Sequence, residues 1–212
     1  MGKIKVVSFD LEGTLVTPDF SKAVWHEGIP LLYAKKMGIS REDATAAVVK
    51  QYNNVGDQQM EWYNIKYWFN RFGLSNYQEL LSSCSQRVCH YPEVAGVLSS
   101  LNETFRLVVA TGSAREFLQY LLRDIGHYFE RVFSSVSDSK QLKTPSFYLE
   151  ICKAMGVMPE EIAHIGDSWQ FDFLAPREAG IIAFHLARNK EEEREGSLRS
   201  LGEFQKKLLE MV

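Results

Sequence analysis

Two rhythms of apolar positions alternate along the chain. The first is short, unbroken and rich in β-branched residues: Ile4 to Phe9, Phe105 to Ala110, Ile162 to Ile165, Gly180 to Phe184 and, more weakly, Arg131 to Phe133. Such runs, without polar alternation, predict strands covered on both faces. The second rhythm is helical. Pro92 stands at an expected first turn before Val94, Val97, Leu98 and Leu101. Ser113 with Glu116 reads as a capping box before Phe117, Tyr120 and Leu121, with Gly126 as the stop. Thr144-Pro145 opens a helix ended by Gly156, Phe171 to Ala179 forms a short one ended by Gly180, and Ser200 with Glu203 starts a C-terminal helix docked by Phe204, Leu208 and Met211.

Strand and helix alternate, which predicts an α/β protein with a Rossmann-like, doubly wound parallel sheet. One stretch breaks the alternation. Residues 17–90 carry only helical patterning, including a capping signature at Ser40 to Asp43 and a spacing of Trp62, Ile65, Phe69 and Phe72 that predicts a helical core. We therefore expect a core made of residues 1–16 and 91–212, with an all-helical domain at 17–90 inserted after the first strand. The insert holds eleven of the twenty-six aromatic residues and three of the four tryptophans. Tyr63 and Tyr67 fall on another face and are expected to border a pocket.

Composition narrows the class. The chain has 212 residues, 45% hydrophobic and 24% charged, as in a folded globular protein. No apolar run approaches the roughly 18 residues of a membrane span. The net charge of −3 carries no basic footprint for nucleic acid. The first apolar run is too short for a secretory leader, and Cys84, Cys89 and Cys152 are too few for a disulfide framework, so a cytoplasmic protein is expected. Glu191 to Glu195 is the main charge run and reads as a solvated face. His26, His90, His127, His164 and His185 show no ligand spacing, and His164 is expected to be a satisfied core residue.

Four places carry chemistry. Asp10 ends the first strand, with Glu12, Gly13 and Thr14 after it. Thr111, Gly112 and Ser113 follow the second, where a helix N-terminus offers N–H groups to an anion. Lys143 precedes Thr144-Pro145. Asp167 ends the strand at Ile165, and Asp172 lies five residues on. In an open parallel sheet the residues that follow strand ends reach the carboxyl edge, where ligands bind, while Lys143 taken by itself reads as a surface lysine. Three carboxylates there make a hard oxygen site suited to Mg²⁺.

The order Asp-x-acid-Gly-Thr-Leu, a strand ending in Thr, a lysine, then Gly-Asp with an acid five residues later resembles the haloacid dehalogenase superfamily. The resemblance covers about residues 1–16 and 91–212, and the insert stands where that family's commonest helical cap stands. It implies a Mg²⁺-dependent phosphohydrolase acting on a small phosphorylated metabolite. Asp10 would be the nucleophile. Asp10, the Glu12 carbonyl and Asp167 would hold the metal, with Asp172 on it or behind it. Thr111, Gly112 and Ser113 would hold phosphate, and Lys143 would neutralise charge. Glu12, the general acid and base, stands where the usual pattern has Asp; the enolase-phosphatase branch also reads Asp-x-Glu-Gly-Thr. Two alternatives remain: a 2-haloacid dehalogenase, which attacks carbon without metal, and a non-catalytic member that binds phosphate or a protein. A phosphonatase-type lysine (Lys22, Lys35, Lys36 or Lys66) is better read as surface. Trp169 is expected at the site mouth, and a monomer or homodimer is expected.

Overall fold

A computed structural model of the chain describes residues 3–211. The expected core's ends, residues 1–2 and 212, lie outside the described residues. Five strands form one sheet: β1 (Val6–Phe9), β2 (Arg106–Thr111), β3 (Arg131–Ser134), β4 (Ile162–Gly166) and β5 (Ile182–His185). Their order is β3-β2-β1-β4-β5, and every pairing is parallel. This is the doubly wound α/β arrangement that the alternation predicts.

Side chains explain why the sheet is covered twice. Val7, Phe9, Leu107, Val109 and Ile165 point to one face, and Val6, Val108, Ala110 and Ile162 to the other. The first face receives α6 (Val94–Asn102), α7 (Arg115–Leu121) and α10 (Leu201–Leu209), through Val97, Phe117 and Phe204. The second receives α8 (Pro145–Met155) and α9 (Ala175–Glu178), through Phe147, Ile151 and Ala175.

Between β1 and α6 the chain is helical. It contains α1 (Asp19–Lys22), α2 (Ile29–Met37), α3 (Arg41–Val55), α4 (Ile65–Arg71) and α5 (Tyr77–Cys84). A π-helical turn at Ala23–Gly28 joins α1 to α2. The chain leaves and re-enters the core side by side: Thr17 N–H donates to the Cys89 carbonyl at 2.8 Å, and Tyr91 N–H to the Leu15 carbonyl at 3.2 Å. The helices are fastened to α7 by rings. Trp25 stacks on Phe117 at 5.4 Å and 15°, and Phe20 meets Phe117 edge-on at 5.7 Å.

Several local expectations hold. Ser40 caps α3, Thr144 caps α8 with Gly156 left-handed at its end, and Ser200 caps α10. Glu191 to Glu195 is exposed. Others are corrected. Helix α7 takes Ala114 as its N-cap, not Ser113, and ends at Leu121 before Gly126. Pro92 lies in a turn ahead of α6, whose N-cap is Glu93. The segment after Ser168 starts as a π-helical turn, Trp169–Leu174. Met211 is 37% exposed and lies beyond α10. No helix among the described residues is long and apolar enough to cross a membrane.

Candidate active site

Because all five strands are parallel, their carboxyl ends share one edge, and the chemistry gathers there. Asp10 leaves β1 with its N–H donating to the Ile165 carbonyl at 2.9 Å. Thr111 ends β2, and Asp167 follows β4. They border a cleft of about 340 Å³ together with Glu12, Gly112, Ser113, Lys143 and Asp172. The eight residues expected to carry the chemistry thus line one cleft.

Asp10, Asp167 and Asp172 each offer a carboxylate oxygen within 4.8 Å of the others. Two glycines make this approach possible. Gly13 has φ of +84°, and a Cβ on it would strike the Asp167 carboxylate; a Cβ on Gly166 would strike Asp172. Burial pushes Asp10 up to about 7, with Lys143 pulling it down and Asp172 adding to the rise. Burial, with Asp10 and Asp172 close by, also holds Asp167 well above the usual carboxylate range. No side-chain donor among the described residues reaches the Asp167 carboxylate, whose backbone carbonyl accepts from His185 Nε2 at 3.0 Å. A hard divalent cation fits this donor set: oxygen ligands crowded by their own charge are what Mg²⁺ neutralises.

Lys143 is 5% exposed, and its Nζ donates to Asp10 Oδ1 at 2.7 Å and to Asp172 Oδ1. Burial opposes its charge, but the two carboxylates outweigh burial and keep it protonated. Asp172 is differently placed from Asp167. Its Oδ1 accepts from Lys143 and from His164 Nε2 at 3.0 Å, and its Oδ2 accepts from the Ser168 N–H at 3.0 Å. Burial would raise Asp172, yet Lys143 and His164 bring it down to about 2. With donors on both of its oxygens, Asp172 anchors Lys143 and backs the carboxylate cluster. His164 is buried and satisfied as expected: Nδ1 accepts from Ser8 Oγ at 2.9 Å. Tyr148 closes this layer by donating to the Phe171 carbonyl at 2.7 Å.

Glu12 is held from two sides. Ser113 Oγ donates to its Oε2 at 2.7 Å, and Ser21 Oγ donates to its Oε1. Burial raises the Glu12 carboxyl above its ordinary value, and the two hydroxyls offset part of that rise. Ser113 N–H is given to Thr111 Oγ1 at 3.1 Å. The Ser113 hydroxyl and N–H therefore serve the site's own residues.

Above this floor stands a roof from the helical segment. Trp25, Tyr52, Trp62 and Tyr63 line it, and Phe117 of α7 and Phe171 complete it. The expected division of aromatics is partly corrected. Ile65, Phe69 and Phe72 are buried as predicted, but Trp62 lines the cleft. A 3-10 turn at Met60–Tyr63 precedes α4, so Trp62 and Ile65 do not share one helix. Tyr63 lines the cleft as predicted, while the Tyr67 hydroxyl lies outside it and accepts from Arg71 at 3.0 Å. Trp169 does not reach the cleft; it stacks on Phe173 at 4.3 Å. Lys36 and Lys66 are also elsewhere, the first on the Phe72 carbonyl at 3.1 Å and the second on Glu116.

Ser21, Trp25, Tyr52, His164 and Arg188 carry no functional signal in the sequence. Arg188 donates to the Thr14 carbonyl at 2.6 Å, the Gly13 carbonyl at 3.1 Å and Glu93 at 2.9 Å, and lies 3.5 Å over the Tyr91 ring. It locks the turn that carries Glu12.

A parallel α/β sheet with a lysine buried among carboxylates at its carboxyl edge, under a helical layer, defines a Rossmann-like enzyme fold with a charged cleft at that edge. The chain belongs to the haloacid dehalogenase-like hydrolase family, whose sequence profile matches residues 4–180. A curated phosphoglycolate phosphatase of Chromobacterium violaceum is 30% identical over 195 residues, covering 85% of this chain and 83% of that protein. A glyceraldehyde 3-phosphate phosphatase of Methanopyrus kandleri is 31% identical over 108 residues, spanning 50% of this chain and 46% of the relative. The crystal structure of a HAD phosphatase from Thermococcus onnurineus shares the fold at a TM-score of 0.86 and 24% identity, covering 97% of this chain and 98% of that one. A 2-haloacid dehalogenase from Pseudomonas syringae shares it at 0.70 and 19%, covering 98% of each chain. The chain is accordingly a phosphatase-like hydrolase.

Proposed function

We propose that this enzyme hydrolyses a small phosphomonoester in a Mg²⁺-dependent reaction through a covalent phosphate on Asp10. The observation that carries the reading is the placement of Lys143 against Asp10 at 2.7 Å, with Asp167 and Asp172 in the same cluster. A nucleophilic carboxylate and an anionic phosphate repel each other, so positive charge must stand between them. Lys143 supplies one such charge from the protein. Asp10, Asp167 and the Glu12 carbonyl would hold Mg²⁺, with Asp172 behind them. When bound, the metal supplies the further charge neutralisation.

The chain's residues then have separate tasks. An Asp10 oxygen attacks phosphorus, and the ester oxygen departs with a proton from Glu12. Water, deprotonated by Glu12, attacks the phosphorus of phospho-Asp10 and releases inorganic phosphate. Thr111 and the Gly112 amide hold phosphate oxygens. Glu12 suits the acid role because burial raises it, and Ser21 and Ser113 fix its longer side chain. Residues 17–90 act as a cap that opens on the two chain crossings at Val16 and His90, which are joined by a single antiparallel bridge. The substrate is a small phosphorylated metabolite of the cytoplasm. The seating of Glu12 within the carboxylate cleft supports this reading over metal-free attack on carbon and over a non-catalytic role.

The test is hydrolysis of an aryl phosphate with and without Mg²⁺, by wild type and Asp10→Asn, with acid-quench trapping of labelled phosphoprotein. We expect metal-dependent turnover and a trapped phosphate in wild type, and neither in a folded Asp10→Asn. Substantial hydrolysis by Asp10→Asn would remove the nucleophile assignment.

A further inference from the structure

The cleft has two ends of opposite chemistry. Its floor carries the acids and Lys143; its roof carries rings. Among the residues lining it, Lys143 is the one lysine or arginine, and its Nζ is already divided between Asp10 and Asp172. Among the described residues, no guanidinium or second ammonium lines the space where the alcohol part of a substrate would lie. His26, the other basic lining residue, is exposed at the rim, with its ring 6.3 Å from the Tyr52 ring. A carboxylate or second phosphate carried into the roof would lose water and gain no partner, which is strongly unfavourable.

The roof also withholds its hydroxyls. Tyr52 OH donates to the Trp25 carbonyl at 3.1 Å, and Tyr63 OH to the Asp57 carbonyl at 3.1 Å. The two tyrosines therefore offer the cleft ring carbon and not a free hydroxyl. Tyr52 meets Trp25 edge-on at 6.2 Å and Trp62 at 6.1 Å, so the three rings brace one another at fixed angles. The Tyr63 ring reaches within 3.8 Å of where a Gly112 Cβ would stand, directly beside the phosphate-holding turn. The π-helical turn at Ala23–Gly28 carries Trp25 into the lining, and such widened turns recur at functional sites.

We infer that the substrate is a phosphomonoester whose alcohol part is a flat, uncharged ring-bearing group, and that the roof selects against leaving groups bearing a carboxylate or a second phosphate. This inference rests on the phosphohydrolase reading above. It sets the chain apart from its phosphoglycolate phosphatase relative, whose named substrate carries a carboxylate. Braced aromatic faces reward a ring through area burial and edge or offset stacking.

Two sets of measurements test it. The first compares kcat/KM for benzyl phosphate, ethyl phosphate and phosphoglycolate with Mg²⁺ present. The benzyl ester should exceed the ethyl ester by at least about tenfold, with phosphoglycolate lowest. Trp62→Ala should shrink the benzyl-to-ethyl ratio by about fivefold, and Trp62→Leu serves if the alanine variant does not fold. Equal benzyl and ethyl values, or a preference for phosphoglycolate, overturn the ring specificity and leave the phosphohydrolase intact. The second set is calorimetric binding of benzylphosphonate and ethylphosphonate, which needs no turnover. Hydrolysis of none of the three esters would count against the phosphohydrolase, while the phosphonate pair still decides the ring. Binding of benzylphosphonate at least about tenfold tighter supports it, and equal affinities overturn it.

Discussion

Ser113 and Glu12 stand 101 residues apart in sequence, yet the serine hydroxyl donates to Glu12 Oε2 at 2.7 Å. The contact answers a steric question. Glutamate is one methylene longer than aspartate and has one more rotatable bond, and catalysis is sensitive to small misplacements. The structure pins both carboxylate oxygens, one from the β2–α7 turn and one from α1 through Ser21. Ser113 is itself fixed, because Ser134 Oγ donates to its carbonyl at 2.8 Å.

The first prediction is that Ser113→Ala and Ser21→Ala each lower kcat by about tenfold, as expected for loss of one hydrogen bond to a charged group. Because Ser21 comes from the helical segment, its loss should slow breakdown of the phospho-Asp10 intermediate more than its formation. Rapid-quench measurement of both phases checks this. Equal slowing of the two, with a lowered melting temperature, would indicate a structural role alone.

Asp172 and Asp167 differ in what they are free to do. Asp172 accepts from Lys143, His164 and the Ser168 N–H. Asp172→Asn should therefore loosen Lys143 while leaving Asp167 in place. The expected outcome is a fall in kcat of about 10- to 100-fold, the usual scale for groups supporting a metal site, with apparent Mg²⁺ affinity changed less than in Asp167→Asn. Metal titrations of both variants, followed by activity and by calorimetry, decide between them.

Much of the core is legible in the sequence because strands buried on both faces leave uninterrupted apolar runs, and because a strand that ends on an acid marks the carboxyl edge. Asp10, Asp167 and Asp172 are marked in that way, whereas Thr111 is a weaker signal and Lys143, a surface lysine when read alone, gains its role only from the family resemblance. What escapes depends on partners distant in sequence. The pairing of Ser113 with Glu116 looks locally like a capping box, yet Ser113 gives its hydroxyl to Glu12 and Ala114 takes the cap. Trp62 shares the helical spacing of Ile65 and Phe69, but the 3-10 turn ahead of α4 resets the register and delivers Trp62 to the cleft. Ser21 and Arg188 have no local pattern, because their roles exist only once the chain folds back on its first turn.

The loop after β3 carries a pH-sensitive tie. Asp138 accepts from Arg115 at 2.7 and 3.0 Å and from the Ser134 N–H at 2.9 Å. Partial burial would raise its carboxyl, but these donors outweigh burial and hold it below the ordinary value of 3.8. A carboxyl depressed in the folded state contributes stability above its unfolded pKa and loses it as pH falls through the folded one. Asp138→Asn should cost about 0.5–1 kcal/mol at pH 7, the scale of a partly exposed ion pair, and nothing once pH is well below 3.8. Denaturant melts of both proteins at the two pH values measure it. A difference that persists in acid would assign the effect to packing.

Arg188 offers the sharpest test of how the catalytic turn is held. One guanidinium binds the Gly13 and Thr14 carbonyls, pairs with Glu93 and covers Tyr91, whose N–H joins the returning chain to Leu15. Lysine has neither the planar fork nor the stacking surface for this set. Arg188→Lys should lower stability by about 1–2 kcal/mol, the scale of charge-assisted bonds lost to backbone carbonyls. Since Gly13 also permits the approach of Asp167, a loosened turn should weaken Mg²⁺ binding and lower kcat more than it raises KM. Arg188→Met, which keeps the apolar cover over Tyr91 but removes every donor, should lower kcat further than lysine does. If both variants melt early but bind Mg²⁺ and turn over as wild type, Arg188 holds the fold and not the turn.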